Sequence, residues 1–205
     1  IFTAFLSNAA YGQCDACIYP ATCVEVTGYT SCGNQKDKET KAYICYECSP
    51  TGNTISVQVL AIENIWENCE DAVWDDLFLW VMSNITQLCG NTPCDQGSTV
   101  IEYTIPKCAH LSWDGTNLHI NQDLTYCGSR RCVATYDWCW CNCTPDCDTD
   151  PDCVPHSQYT LINSYYTGTA LECEDEVEYG EGTDHPLDEN ENWTIECFQF
   201  DTVCD

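Results

Sequence analysis

Cysteines lead the residues that could do chemistry. Cys14/Cys17 and Cys45/Cys48 form two C-x-x-C pairs, the arrangement in which four thiolates hold zinc in a ribbon-like site. Against zinc stands the total. Twenty cysteines, an even number, make disulfides the default in an oxidising compartment. Neither pair has the helical neighbour that a thioredoxin-like redox site needs, and neither is followed by the histidine of a c-type haem attachment.

Carboxylates form the second constellation. The string T-P-D-C-D-T-D-P-D-C sets Asp146, Asp148, Asp150 and Asp152 at alternate positions, the oxygen-rich pattern of a calcium loop. An EF-hand begun at Asp146 needs glycine sixth and glutamate twelfth, where the chain has Pro151 and Ser157. The loop is therefore calcium-like only, and a solvated acidic loop is the stronger reading. Calcium is the one cofactor the sequence brings up. No nucleophile elbow, zinc-protease helix or cysteine-protease signature is present, and His110, His119, His156 and His185 are too scattered to nominate a triad. A carboxylate pair for glycoside hydrolysis has too many candidates among 33 acids for spacing to single one out. No catalytic residue is assigned, and the chain reads as a non-enzyme. Three glycosylation sequons, at Asn84, Asn142 and Asn192, offer covalent glycan sites, with Asn192 the most accessible of the three.

The charge balance narrows the partners. With 33 acidic against 6 basic residues and a net charge of −27, the chain repels phosphate backbones and anionic lipid, which excludes nucleic acid. The longest apolar run, Leu77 to Met82, is far too short to span a membrane as a helix. Yet 44% of the residues are hydrophobic, enough to build a core.

The elements that would position these groups are mostly strands. Asn53 to Ile62 alternates and is rich in β-branched residues, which predicts a strand. Ile65, Cys69, Val73, Leu77, Trp80, Val81 and Leu88 then recur at helical spacing, predicting one long helix with Asn68 as N-cap, Glu70 and Asp71 in its first turn and Gly90 as its stop. Further strands are expected over Thr99 to Ile105, Val133 to Trp140, Gln158 to Tyr166 and Trp193 to Phe200, with a hairpin through Trp113-Asp114-Gly115-Thr116. Cys139 to Cys153, dense in cysteine, proline and aspartate, reads as a stapled knot, and the acidic run Glu172 to Glu191 as a solvated loop. No repeat of solenoid period occurs. The expected fold is mainly β with one long α-helix: a disulfide-rich secreted domain of short antiparallel strands. It divides into an apolar N-terminal assembly segment, 1–13, and a single disulfide-stapled domain, 14–205.

That leading segment carries no charged side chain up to Cys14 and opens with Ile1, Phe2, Ala4, Phe5 and Leu6. It looks like the tail of a signal peptide, with Ala9, Ala10 and Gly12 near a cleavage point. As a strand it is apolar on both faces and requires burial on both. Two placements follow: an edge strand of its own domain, or a strand inserted beside a sheet edge or into a groove of the next copy, a head-to-tail contact that builds an open filament.

Ile105-Pro106-Lys107-Cys108, Tyr126-Cys127-Gly128-Ser129, Cys132, Tyr136 and Cys139 together resemble cysteine-rich secreted proteins of Bacteroidota-type bacteria over about 35 of the 205 residues. The resemblance implies an extracellular or surface location and a structural or adhesive role. It carries no catalytic residue across. The expected function is a structural subunit of an extracellular filament or surface appendage, a homopolymer joined through the N-terminal strand. The alternatives are a secreted glycan- or calcium-binding module and, behind it, a secreted glycoside hydrolase.

Overall fold

A computed structural model describes residues 3–4, 14, 17, 21–30, 38–50, 53–66, 69–121, 127–144, 147–148, 150, 152–169, 173 and 192–205. The strands run β1 (Thr3–Ala4), β2 (Thr22–Thr30), β3 (Lys38–Cys48), β4 (Thr54–Ile65), β5 (Thr99–Pro106), β6 (Cys108–Trp113), β7 (Leu118–Asn121), β8 (Arg131–Cys141), β9 (His156–Thr167) and β10 (Trp193–Gln199). Among the described residues one α-helix, α1 (Glu70–Cys89), follows β4, and a 3-10 turn, Cys94–Gln96, precedes β5. The mainly β, disulfide-stapled class expected from the sequence is the class observed. The strands are longer than expected, up to 12 residues, and one pair is parallel.

All ten strands belong to one sheet that forks at β4. The main path runs β1-β2-β3-β4-β5-β8-β9. The first half of β4 pairs in parallel with β5, with Thr54 opposite Val100 and Gln58 opposite Thr104. The second half pairs antiparallel with β7, with Ile62 opposite Ile120, and β7 leads on to β6 and β10. The fork exists because β4 is longer than either partner and bends, with its register to β7 shifting between Ile62 and Ile65 and Asn64 at φ 64°. Ile65, which the sequence places at the head of the helical pattern, closes β4 instead.

α1 packs its apolar face on the sheet, burying Val73, Leu77, Val81, Met82 and Ile85 completely. Cys69 takes the N-cap position and its carbonyl accepts the Val73 N–H at 3.1 Å; the expected cap, Asn68, lies outside the described residues. Gly90 ends the helix as expected, at φ 93°, a conformation that favours glycine, with its N–H donating to Thr86 O at 3.1 Å. The Trp138 indole N–H of β8 donates to Met82 O at 3.0 Å, pinning the helix to the sheet.

Eight disulfides join described residues to one another. Both C-x-x-C pairs are consumed in them: Cys14 pairs with Cys23, Cys17 with Cys45 and Cys48 with Cys89, so no four-thiolate zinc site forms. Cys14, Cys17, Ala21 and Cys23 pack on Tyr43, Cys45, Leu60 and Ala61, covering the face of β3 and β4 turned away from the main core. The knot is stapled by Cys141–Cys147 and Cys143–Cys153, and Cys94–Cys139 ties it to the segment after α1. No helix among the described residues is long and apolar enough to cross a membrane.

Candidate functional site

The edges of the sheet are the first feature with functional content; because it forks, it ends among the described residues on three strands, β1, β9 and β10, and an edge strand turns unpaired N–H and C=O groups outward and invites another strand. At one end lies β1, with Thr3 opposite Thr27 and Ala4 opposite Val26 on β2. This is the leader's described part, and it pairs with its own chain; Ile1, Phe2, Phe5 and Leu6 lie outside the described residues. At a second lies β9, paired among the described residues with β8 alone, and at the third β10, paired there with β6 alone and including Glu196 in its sequence. Edge strands are usually blunted by lysine, proline or inward charges. The sequence of β9, HSQYTLINSYYT, has no proline, lysine, arginine or acid, in a chain of net charge −27. Tyr159, Leu161, Ile162 and Tyr165 are exposed along it, Ile162 at 57%. A register shift opposite Thr135/Tyr136 places an extra residue in β9 and turns side chains of both orientations toward solvent.

The acidic loop spends its carboxylates on itself. Asp148 Oδ1 accepts the Asp150 N–H and Asp150 Oδ1 accepts the Asp152 N–H, both at 2.9 Å, which shapes the turns of the knot. Asp146 lies outside the described residues, and the other three are not gathered into a ligand cluster. Two clusters with metal-ligand types do occur among the described residues, Cys108/Cys173/Cys197 and Cys141/Cys153/His156, yet each contains disulfide sulfurs that cannot act as thiolates. His119 Nε2 lies 3.3 Å from Asp114 Oδ2 on the β6–β7 hairpin, and His156 Nδ1 lies 2.9 Å from Val154 O; neither contact includes a hydroxyl nucleophile. Of the sequons, Asn192 and Asn142 are exposed, whereas Asn84 is half-buried on α1 and donates its amide to Trp80 O at 2.8 Å.

Sequence reasoning missed a cavity of about 390 Å³ between α1, β5, β8 and the segment after β10. Trp74 and Phe78, one helical turn apart, supply its roof, and Tyr103 and Tyr136 its floor. Phe78 meets Tyr103 edge-on at 5.4 Å between ring centroids and Tyr136 at 5.0 Å. Asp75 and Asp201 bring carboxylates to the lining, and no basic residue lines it among the described residues. The Trp74 indole N–H and the Tyr103 hydroxyl are buried without a hydrogen-bond partner. Burial, reinforced by Tyr136 and the Asp75 carboxylate, raises the Tyr103 pKa and keeps its hydroxyl protonated. The local signal, two aromatics at i and i+4, is indistinguishable from ordinary core spacing. Only the fold brings β5 and β8 beneath them.

No known protein family matches the chain, and neither do the curated proteins or the solved structures.

Proposed function

We propose that this protein is a structural subunit of an extracellular filament or surface appendage, in which subunits join head to tail by pairing the N-terminal strand at one end of the sheet with β9 of the next copy. The observation that carries the reading is charge. In a chain of −27, the leader up to Cys14 and the twelve residues of β9 are free of Asp, Glu, Lys and Arg, and the leader's described strand, β1, and β9 are two of the ends of the same sheet. Repulsion between acidic bodies, screened beyond about 8 Å at physiological salt, leaves these two strands as the surfaces that can meet without opposing like charges. Two different edges make the contact heterologous, so it propagates and does not close on itself as a symmetric dimer would.

Magnitudes support a joint that needs both sides. Burying Ile1, Phe2, Phe5 and Leu6 contributes about 6 to 12 kcal/mol, at about 1.5 to 3 kcal/mol per side chain. Association costs about 4 to 15 kcal/mol. The leader alone therefore sits near balance, and the exposed Tyr159, Leu161, Ile162 and Tyr165 of β9 tip it toward assembly. The density of disulfides suits an oxidising, extracellular setting, where covalent glycans at Asn192 or Asn142 would be accessible.

The test uses two variants with complementary defects. Ile162→Lys blunts the acceptor edge and keeps the leader; deletion of residues 1–6 does the reverse. Each alone is expected to give a folded monomer by circular dichroism and native mass spectrometry, while wild type polymerises in negative-stain micrographs. Mixed together they are expected to form a one-to-one heterodimer capped at both ends. Polymers that persist in both variants, or a mixture that stays monomeric, would reject the joint.

A further inference from the structure

No residue of β9 or of the leader's described part lines the aromatic cavity, and its chemistry specifies a ligand. We infer that it binds a small organic cation, a quaternary or substituted ammonium in chemical class. Its volume of about 390 Å³ falls within the range of small-molecule sites, about 300 to 1,000 Å³. Four rings, Trp74, Phe78, Tyr103 and Tyr136, contribute to one lining. Aromatic faces carry negative potential and attract ammonium groups held within about 6 Å.

Charge selects the sign of the ligand. The Asp75 and Asp201 carboxylates line the cavity without a basic residue among the described ones, so an anion would enter against both them and a net −27. A cation is drawn in by the same field. A sugar of similar size presents several hydroxyls, more than a lining this rich in rings and aliphatic groups satisfies.

Acetylcholine is the probe, read by isothermal titration calorimetry and tryptophan fluorescence on the intact chain. Its neutral carbon isostere, tetramethylammonium and methyl β-glucoside serve as comparisons. Acetylcholine is expected to bind saturably at one site, with the isostere weaker by about tenfold for loss of the cation–π and carboxylate attraction. Tetramethylammonium should bind at the same site, because the cation selects the ligand. Phe78→Leu keeps an apolar side chain and removes a ring; it should weaken both cations several-fold and leave the neutral isostere nearly unchanged. Asp75→Asn with Asp201→Asn should weaken both cations. The proposal is overturned if the isostere binds as tightly as acetylcholine, if only the glucoside saturates, or if cation binding has no defined stoichiometry, which would mark diffuse attraction to the acidic surface. The wild-type ligand comparison decides the matter even if a variant misfolds.

Discussion

Lys107, one of 6 basic residues, is 5% exposed and holds the end of the chain. Its ammonium donates to Phe200 O at 3.0 Å and to both Asp205 oxygens at 2.7 Å. Burial alone would lower its pKa, but hydrogen bonds with Asp205 and Tyr166 more than offset this and raise it. Burial likewise acts to raise the Asp205 pKa, and hydrogen bonds from Lys107, Tyr166 and Thr202 outweigh it, holding that carboxyl well below the usual carboxylate range. At the hairpin, burial is again outweighed at Asp114, where the Asn117 N–H, His119 and the Thr116 N–H bring the pKa to about 2. Both carboxyls are more acidic folded than unfolded. The stability they contribute is therefore present above about pH 4 and is lost as pH falls through their folded values. Urea midpoints should drop between about pH 4 and pH 2, and Asp114→Asn should flatten that limb. Asp205→Ala at neutral pH should cost about 1 to 3 kcal/mol, because the Lys107 ammonium loses its counter-ion. Water reaching Asp205, whose side chain is 40% exposed, keeps the loss below that of a fully buried pair. A denaturation midpoint unchanged by Asp205→Ala would contradict this account.

Between elements, the disulfides divide by the length of chain they close. Cys132–Cys204 ties β8 to the segment after β10 across a separation of 72 residues, whereas Cys141–Cys147 closes 6. Constraint of the unfolded chain predicts contributions of about 4 and about 2 kcal/mol. Replacing both cysteines of the first pair by serine should therefore lower the unfolding free energy by about 2 kcal/mol more than replacing those of the second, measured by urea titration without reductant. Equal losses would show that native packing, and not loop closure, sets the effect. Several elements were legible at this scale. β4, β5, β8, β9, β10, the β6–β7 hairpin and α1 all fall where local period and turn residues put them. β2 and β3 did not announce themselves. In β3, Tyr43, Ile44 and Cys45 are buried in succession because the main core covers one face and the Cys14–Cys23 and Cys17–Cys45 cluster the other. A strand covered on both faces loses the alternation by which sequence reveals it.

Across the whole molecule, charge and edges compete. If uncharged strands join the subunits, salt screens repulsion between the bodies without weakening the joint. Light scattering should then show more polymer at about 1 M salt, where the Debye length is about 3 Å, than at low salt. Polymer that dissolves in salt would mean ion pairs hold it. The pairing of Thr3–Ala4 with β2 of its own chain also reshapes the proposed joint: the leader's outer edge, and not its withdrawal into a neighbour, would have to meet β9. The amino-acid sequence by itself determined the class, because strand alternation, helical spacing, turn residues and cysteine content act over a few neighbours or over the sum. The tertiary structure alone decided which cysteines pair, that β4 and β5 run parallel, that β9 is an edge, and that Trp74, Tyr103 and Tyr136 line one cavity. Each of those is a contact between residues far apart in the chain, set by how the sheet forks and closes, and such contacts leave no local pattern to read.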